Sequence, residues 1–157
     1  TLNFKKGDVL LIQNEINREA IENIIDIAYD AGIKIIYNPA PYFKIKEEVI
    51  SKVDYITPNE TEFEMMKNDY DVDLNDKIIL TLGEKGVSIF SSGEIFPAPK
   101  VEVVDTTGAG DTFNGNFAAS ILKEESIEQA IKTGVKAASI SVTKKGAQTG
   151  MPKKNHI

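Results

Sequence analysis

The chain has 157 residues, 41% of them hydrophobic, which suits one compact domain over residues 1–157, since a chain of this length buries roughly 70% of its unfolded surface. Eighteen basic against 24 acidic side chains leave a formal charge of -6, the wrong sign for a protein that gathers affinity by neutralising nucleic-acid phosphates. With no cysteine, and no apolar run near the roughly 18 to 20 residues that span a bilayer, the composition predicts a cytoplasmic protein with neither nucleic-acid nor membrane partners.

Val9, Leu10, Leu11 and Ile12 form a continuous apolar run, the pattern of a strand buried on both faces of a parallel sheet. A helix follows, with Asn17 as N-cap, Ala20, Ile21, Ile24, Ile25 and Ala28 at helical spacing, and Gly32 placed to stop it. Residues 33–37 read as the next strand, broken by Asn38, Pro39, Ala40 and Pro41. Residues 47–52 suggest a helix, 53–57 a short strand and 59–67 a short helix. This alternation predicts parallel strands joined by right-handed crossovers, with helices covering the sheet. Residues 68–76 are polar and acidic, a surface loop. Segments 78–82, 87–90, 94–97 and 101–104 are short and apolar, separated by Gly, Ser and Pro, and read as hairpin-like strands. Two helices close the chain, one carrying Phe113, Phe117, Ile121 and Leu122, the other opening with a capping box of Ser126 and Gln129. Residues 153–157, with the single histidine His156, read as a frayed, inert tail.

The chemistry concentrates between residues 104 and 113, where an apolar strand passes through a small, glycine-rich turn into an amphipathic helix. Small residues let a ligand approach the backbone, and the first N–H groups of a helix have no internal partners, so such a turn binds anions. Asp111 places a carboxylate in the same turn, where an anion-binding loop gains nothing from a like charge. A carboxylate held beside phosphates suits phosphoryl transfer, with the amides stabilising charge and the aspartate accepting the proton of an attacking hydroxyl. Helix capping on an ordinary turn is the plainer reading, and composition leaves both open. A P-loop is excluded by the lack of its glycine-lysine motif, and Phe113 stands where a dinucleotide fingerprint needs its third glycine. That disfavours a dinucleotide-dependent oxidoreductase.

The run Asp105, Thr106, Thr107, Gly108, Ala109, Gly110, Asp111, Thr112, Phe113, Asn114, Gly115 resembles the carboxy-terminal signature of the ribokinase (PfkB) family of carbohydrate kinases. Segments 13–15, 38–41, 57–62, 81–86 and 143–148 resemble further family segments in the same order. The resemblance implies a three-layer αβα fold, mostly parallel sheet with helices on both faces. It also implies ATP as donor, Mg²⁺ as essential metal and K⁺ as activator, with a sugar, D-ribose first, as acceptor. A fructokinase, a nucleoside kinase and a nucleotide-binding module without catalysis are the alternatives.

By position in the motifs, the resemblance makes Asp111 the base, also touching the acceptor, and Gly108, Ala109 and Gly110 the anion hole. Asn59 and Glu62 then organise phosphate and Mg²⁺ through water, in keeping with the oxygen ligands and retained hydration of that ion. Thr81, Leu82, Gly83, Glu84, Lys85 and Gly86 form the nucleotide segment, against a tight turn with a solvated lysine as the plainer reading. Val135 falls where the family meets adenine, or is simply core. Glu15 falls where the family touches sugar hydroxyls. Asp105, Thr107, Ser141, Lys144, Gly146 and Gly150 fall around the monovalent cation, mostly through backbone carbonyls. The chain starts at Thr1 and looks like the carboxy-terminal half of such a kinase, with the amino-terminal half and its lid absent. Residues 62–78 look short by one helix. The full-length protein is expected as a homodimer, and these residues alone as nearly inactive.

Overall fold

The structure is a computed structural model that describes residues 3–147 and 150–152. The expectations for residues 153–157, including His156, and for Gln148 lie outside the described residues.

Strand β1 (Val9–Gln13), helix α1 (Arg18–Asp30), strand β2 (Lys34–Asn38), helix α2 (Glu47–Ile50), strand β3 (Tyr55–Ile56) and helix α3 (Glu60–Met66) follow in the predicted order. The three strands are parallel, ordered β1-β2-β3, with Leu11 paired to Ile36 and Tyr37 to Ile56. Strand β4 (Ile79–Thr81) continues the parallel direction through bridges between Ile56 and Ile78 and between Asn59 and Thr81. Strands β5 (Val87–Ile89) and β6 (Glu94–Phe96) follow it, in the order β4-β5-β6. Helices α4 (Ala109–Leu122) and α5 (Ile127–Ser141) close the chain. Among the described residues, no helix is long and apolar enough to cross a membrane.

The chain divides into two compact units, Thr1–Thr81 with Ser88–Glu94 and Leu82–Val87 with Ile95–Ile157. In the first, consecutive β2 residues Ile35, Ile36 and Tyr37 are all fully buried. Successive strand side chains point to opposite faces, so both faces of β2 are covered, whereas in β1, where the apolar run predicts the same, Val9, Leu10 and Leu11 are only half-buried. Helix α1 contributes the stripe Ile21, Ile25 and Ala28, each fully buried. Asn17 caps it as expected, its side-chain oxygen accepting from the Ala20 N–H at 2.8 Å.

The second unit is built on the pair α4 and α5. Gly134 lets them meet closely: a Cβ there would lie 2.7 Å and 2.8 Å from carbons of the Phe113 ring. Phe113 and Phe117 stack at 5.7 Å, fully or nearly buried. Two expectations fail here. The strand over 101–104 does not form, and Val101, Val103 and Val104 are 39%, 56% and 58% exposed. The valines favour a strand, but the Val104 and Asp105 N–H groups both donate to the Val142 carbonyl at the end of α5, which diverts the backbone. The second capping box is half made. Ser126 accepts from the Gln129 N–H at 3.2 Å, while the Gln129 amide turns forward to Thr133 rather than back to Ser126.

Candidate active site

In the first unit the polar residues of the sequence gather at the carboxyl ends of parallel strands, the edge where open α/β sheets bind ligands. Gln13 ends β1 and donates to the Asn38 side-chain oxygen at 2.9 Å. Asn38 ends β2 and donates to the Thr57 carbonyl at 2.6 Å. Thr57, just past β3, is 1% exposed, and its hydroxyl oxygen has no partner among the described residues. Thr81 ends β4, its N–H donating to the Pro58 carbonyl at 2.9 Å. Glu15 stands exposed in the turn after β1. Of this set the sequence reading singled out Glu15 and Thr81. The signal that marks the rest is that β1, β2 and β4 end in side chains able to hydrogen-bond, and one follows directly after β3.

Asn59 is the N-cap of α3. Its side-chain oxygen accepts from the Glu62 N–H at 2.8 Å, and Glu62 accepts from the Asn59 N–H at 2.9 Å, a complete capping box. Glu62 is therefore tied to the start of α3 rather than loosely solvated. Partial burial pushes its carboxyl up, while the Asn59 N–H pulls the other way. The capping box uses Glu62 Oε2 and Asn59 Oδ1, so Glu62 Oε1 and Asn59 Nδ2 are not part of it. Among the described residues no three acidic or histidine side chains form a metal cage.

In the second unit, Gly108 is the N-cap of α4 in a left-handed conformation, φ 76°, with its Cβ position 2.9 Å from the Ala147 Cβ. Both facts demand glycine. Thr112 is the first residue to close a helical bond, onto the Gly108 carbonyl at 2.9 Å. Of the expected anion-hole residues, Ala109 donates its N–H within the turn, to the Thr106 carbonyl at 3.2 Å. Gly110 is exposed, and a Cβ there would meet nothing within 4 Å, so a ligand can reach its backbone. Asp111, one residue on, is also exposed. The helix end thus presents a donor and a carboxylate side by side, the pairing that phosphoryl transfer needs.

Asp105 holds this turn together. Its Oδ1 accepts from the Thr107 N–H and its Oδ2 from the Gly146 N–H, each at 2.9 Å. The Thr107 hydroxyl and N–H and the Gly146 N–H together lower its carboxyl to about 2. Both carboxylate oxygens are thereby occupied, and any cation contact at Asp105 falls to its carbonyl. A Cβ on Gly150 would lie 2.4 Å from the Ser141 carbonyl oxygen and 3.1 Å from that of Gly146. The Ser141 and Gly146 carbonyls thus both approach Gly150, whose N–H donates to the Gly146 carbonyl at 3.0 Å. Thr107 and Lys144 are exposed nearby.

Residues 82–86 form a tight turn, with the Leu82 N–H donating to the Gly86 carbonyl at 2.8 Å. Gly86 has φ 104°, and a Cβ on it would fall 2.0 Å from the Phe96 carbonyl oxygen. Gly83, Glu84 and Lys85 are exposed, leaving glycine backbone open at the tip. Val135 is 6% exposed and packs as core, so the side chain offers almost no surface to an adenine in this chain. A cavity of about 460 Å³ opens elsewhere in the first unit, between Phe63, Tyr70, Leu74 and Phe90. None of the predicted site residues lines it. It lies between α3 and the 67–77 connection, where half-buried Phe63, Tyr70, Val72 and Phe90 pack against the core.

Comparison with known proteins identifies the chain's relatives. The model of the pfkB family carbohydrate kinases matches residues 2–154. A ribokinase of Lactococcus lactis subsp. lactis is 42% identical over 98% of this chain and 54% of its own length. A Haemophilus influenzae ribokinase is 40% identical over 94% of this chain and 53% of its own. Among solved structures, Thermotoga maritima ribokinase has a TM-score of 0.82 at 36% identity, covering 95% of this chain and 55% of that one. Arabidopsis thaliana ribokinase, solved with ribose and ATP, has a TM-score of 0.80 at 28% identity over 94% of this chain and 54% of that one. The fold is ribokinase-like α/β. The chain spans about half the length of the curated relatives it matches. The comparisons do not support assigning that match to the carboxy-terminal half.

Proposed function

The chain belongs to the pfkB family of carbohydrate kinases, and we propose that it supplies the catalytic residues for ATP-dependent phosphorylation of a sugar hydroxyl, D-ribose first. One observation carries the proposal: the start of α4 sets the open Gly110 backbone and the exposed Asp111 carboxylate in one turn locked by Gly108. Relatives called ribokinase, at 38–42% identity, favour ribose over fructose or a nucleoside. ATP as donor follows the Arabidopsis ribokinase, solved with ribose and ATP.

Asp111 takes the proton of the attacking hydroxyl, a role that typically contributes about 100- to 10,000-fold. The amides at the start of α4, Gly110 foremost, stabilise charge on the transferring group. Glu15 meets the hydroxyls of the acceptor, and the turn at residues 82–86 meets the nucleotide. Asn59 Nδ2 and Glu62 Oε1 order the water around Mg²⁺, which when bound neutralises phosphate charge. The carbonyls of Asp105, Ser141, Gly146 and Gly150, with Thr107 and Lys144 beside them, hold K⁺, which adds positive charge near the anion hole. The full-length protein is a cytoplasmic homodimer in this reading.

Coupled ADP-release assays on the full-length protein with ribose, deoxyribose, fructose and a nucleoside, beside calorimetric titration with an ATP analogue, test the proposal. Ribose-dependent turnover is expected, with weak nucleotide binding and negligible turnover from these 157 residues alone. Nucleotide binding without turnover on any sugar would favour a binding module instead.

A further inference from the structure

The first unit contains a buried polar pair that the proposed chemistry does not use. Tyr37, fully buried in the middle of the apolar β2, donates its hydroxyl to the Asn14 Oδ1 at 2.9 Å. Asn14, 4% exposed just past β1, donates its Nδ2 to the Pro41 carbonyl at 3.0 Å and its backbone N–H to the Ala40 carbonyl at 3.1 Å. Every polar atom of the Asn14 side chain is thus engaged. Two of these bonds tie the turn after β1 to the turn after β2, and the third ties it to β2 itself.

A buried amide and phenol lose their hydration, and two apolar side chains would fill the same space without that loss. A fully satisfied buried network instead fixes one geometry. What it fixes here is the exposed neighbour of Asn14, Glu15, at the carboxyl edge of the sheet. We propose that Asn14, braced by Tyr37, is a positioning residue that sets Glu15 against the acceptor sugar, its Nδ2 bond to the Pro41 carbonyl being the contact that fixes the turn. This rests on the reading of Glu15 as the contact to the sugar hydroxyls.

The test is steady-state kinetics of the full-length protein, with sugar and ATP varied separately, and thermal unfolding of each variant. Asn14→Leu is expected to raise KM for the sugar about tenfold, since small misplacements of a positioning group cost up to about 100-fold. KM for ATP stays within twofold. The double variant Asn14→Leu with Tyr37→Phe removes both buried partners and regains thermal stability, yet keeps the raised sugar KM because the bond to Pro41 is still missing. Combined with Glu15→Gln, Asn14→Leu adds little, because the group it positions is gone. Recovery of the sugar KM together with stability, an equal rise in KM for ATP, or fully additive effects with Glu15→Gln would each overturn the proposal. Glu15→Gln with an unchanged sugar KM would instead remove the reading of Glu15 itself, and the positioning role with it.

Discussion

The contact between α4 and α5 makes an opposed pair of predictions from one substitution. Gly134→Ala places a methyl 2.7 Å and 2.8 Å from Phe113 ring carbons and 3.1 Å from the Phe113 carbonyl oxygen. The ring is 2% exposed and stacked on Phe117, so it cannot swing away. Overpacking of this kind costs about 1–3 kcal/mol, and replacing a mid-helix glycine by alanine returns just under about 1 kcal/mol. The net loss is up to about 2 kcal/mol. At about 2–4 °C per kcal/mol for a chain of this size, Tm should fall by up to about 8 °C. Gly115→Ala is the control, because its methyl would meet nothing within 4 Å in the interior of α4. It should raise Tm by about 1–4 °C through helix propensity alone. Far-UV circular dichroism of the two variants against the parent decides the matter. Equal shifts of the same sign would refute the packing argument.

Asp105→Asn should destabilise the protein at neutral pH, and the difference should vanish in acid. Because the folded carboxyl sits near 2, below its ordinary value, its stabilising contribution is full above about pH 4 and is lost as pH falls through about 2. Melting curves of both proteins between pH 6 and 2 check the convergence; a constant gap would contradict it. Asn59→Ala should cost about 1 kcal/mol by losing the N-cap, while Asn59→Ser should cost only a few tenths. If Asn59 also serves Mg²⁺ and phosphate, Mg²⁺-dependent turnover of the serine variant still falls at least tenfold. Full turnover in Asn59→Ser would reduce that residue to its cap.

Much of the architecture is legible in the sequence because local chemistry and tertiary packing agree there. The run Val9 to Ile12 and the stripe Ile21, Ile25 and Ala28 each admit one periodicity, and Asn17 marks where the first helix starts. Valines 101, 103 and 104 mislead because a strand needs a partner, and the Val142 carbonyl takes their neighbouring N–H groups from 38 residues away. For the same reason Asp105 reads as a cation ligand in sequence and as a clamp in space: its bond to Gly146 spans 41 residues. The links among Gln13, Asn14, Tyr37 and Asn38 are invisible in sequence, since they depend on the register of β1 against β2. The turn that carries Asp111 is legible because it is set by neighbours within three residues, and the structure adds that the Gly110 backbone beside it is open.

The central claim is that Asp111 acts as a base beside the Gly110 backbone, and one variant tests it most directly. Asp111→Asn in the full-length protein preserves size and helix position while removing the proton acceptor. The account predicts that kcat with ribose falls by about 100- to 10,000-fold while the ATP dissociation constant changes by no more than a few-fold. Retention of most of the turnover, or loss of nucleotide binding in proportion to kcat, would contradict it.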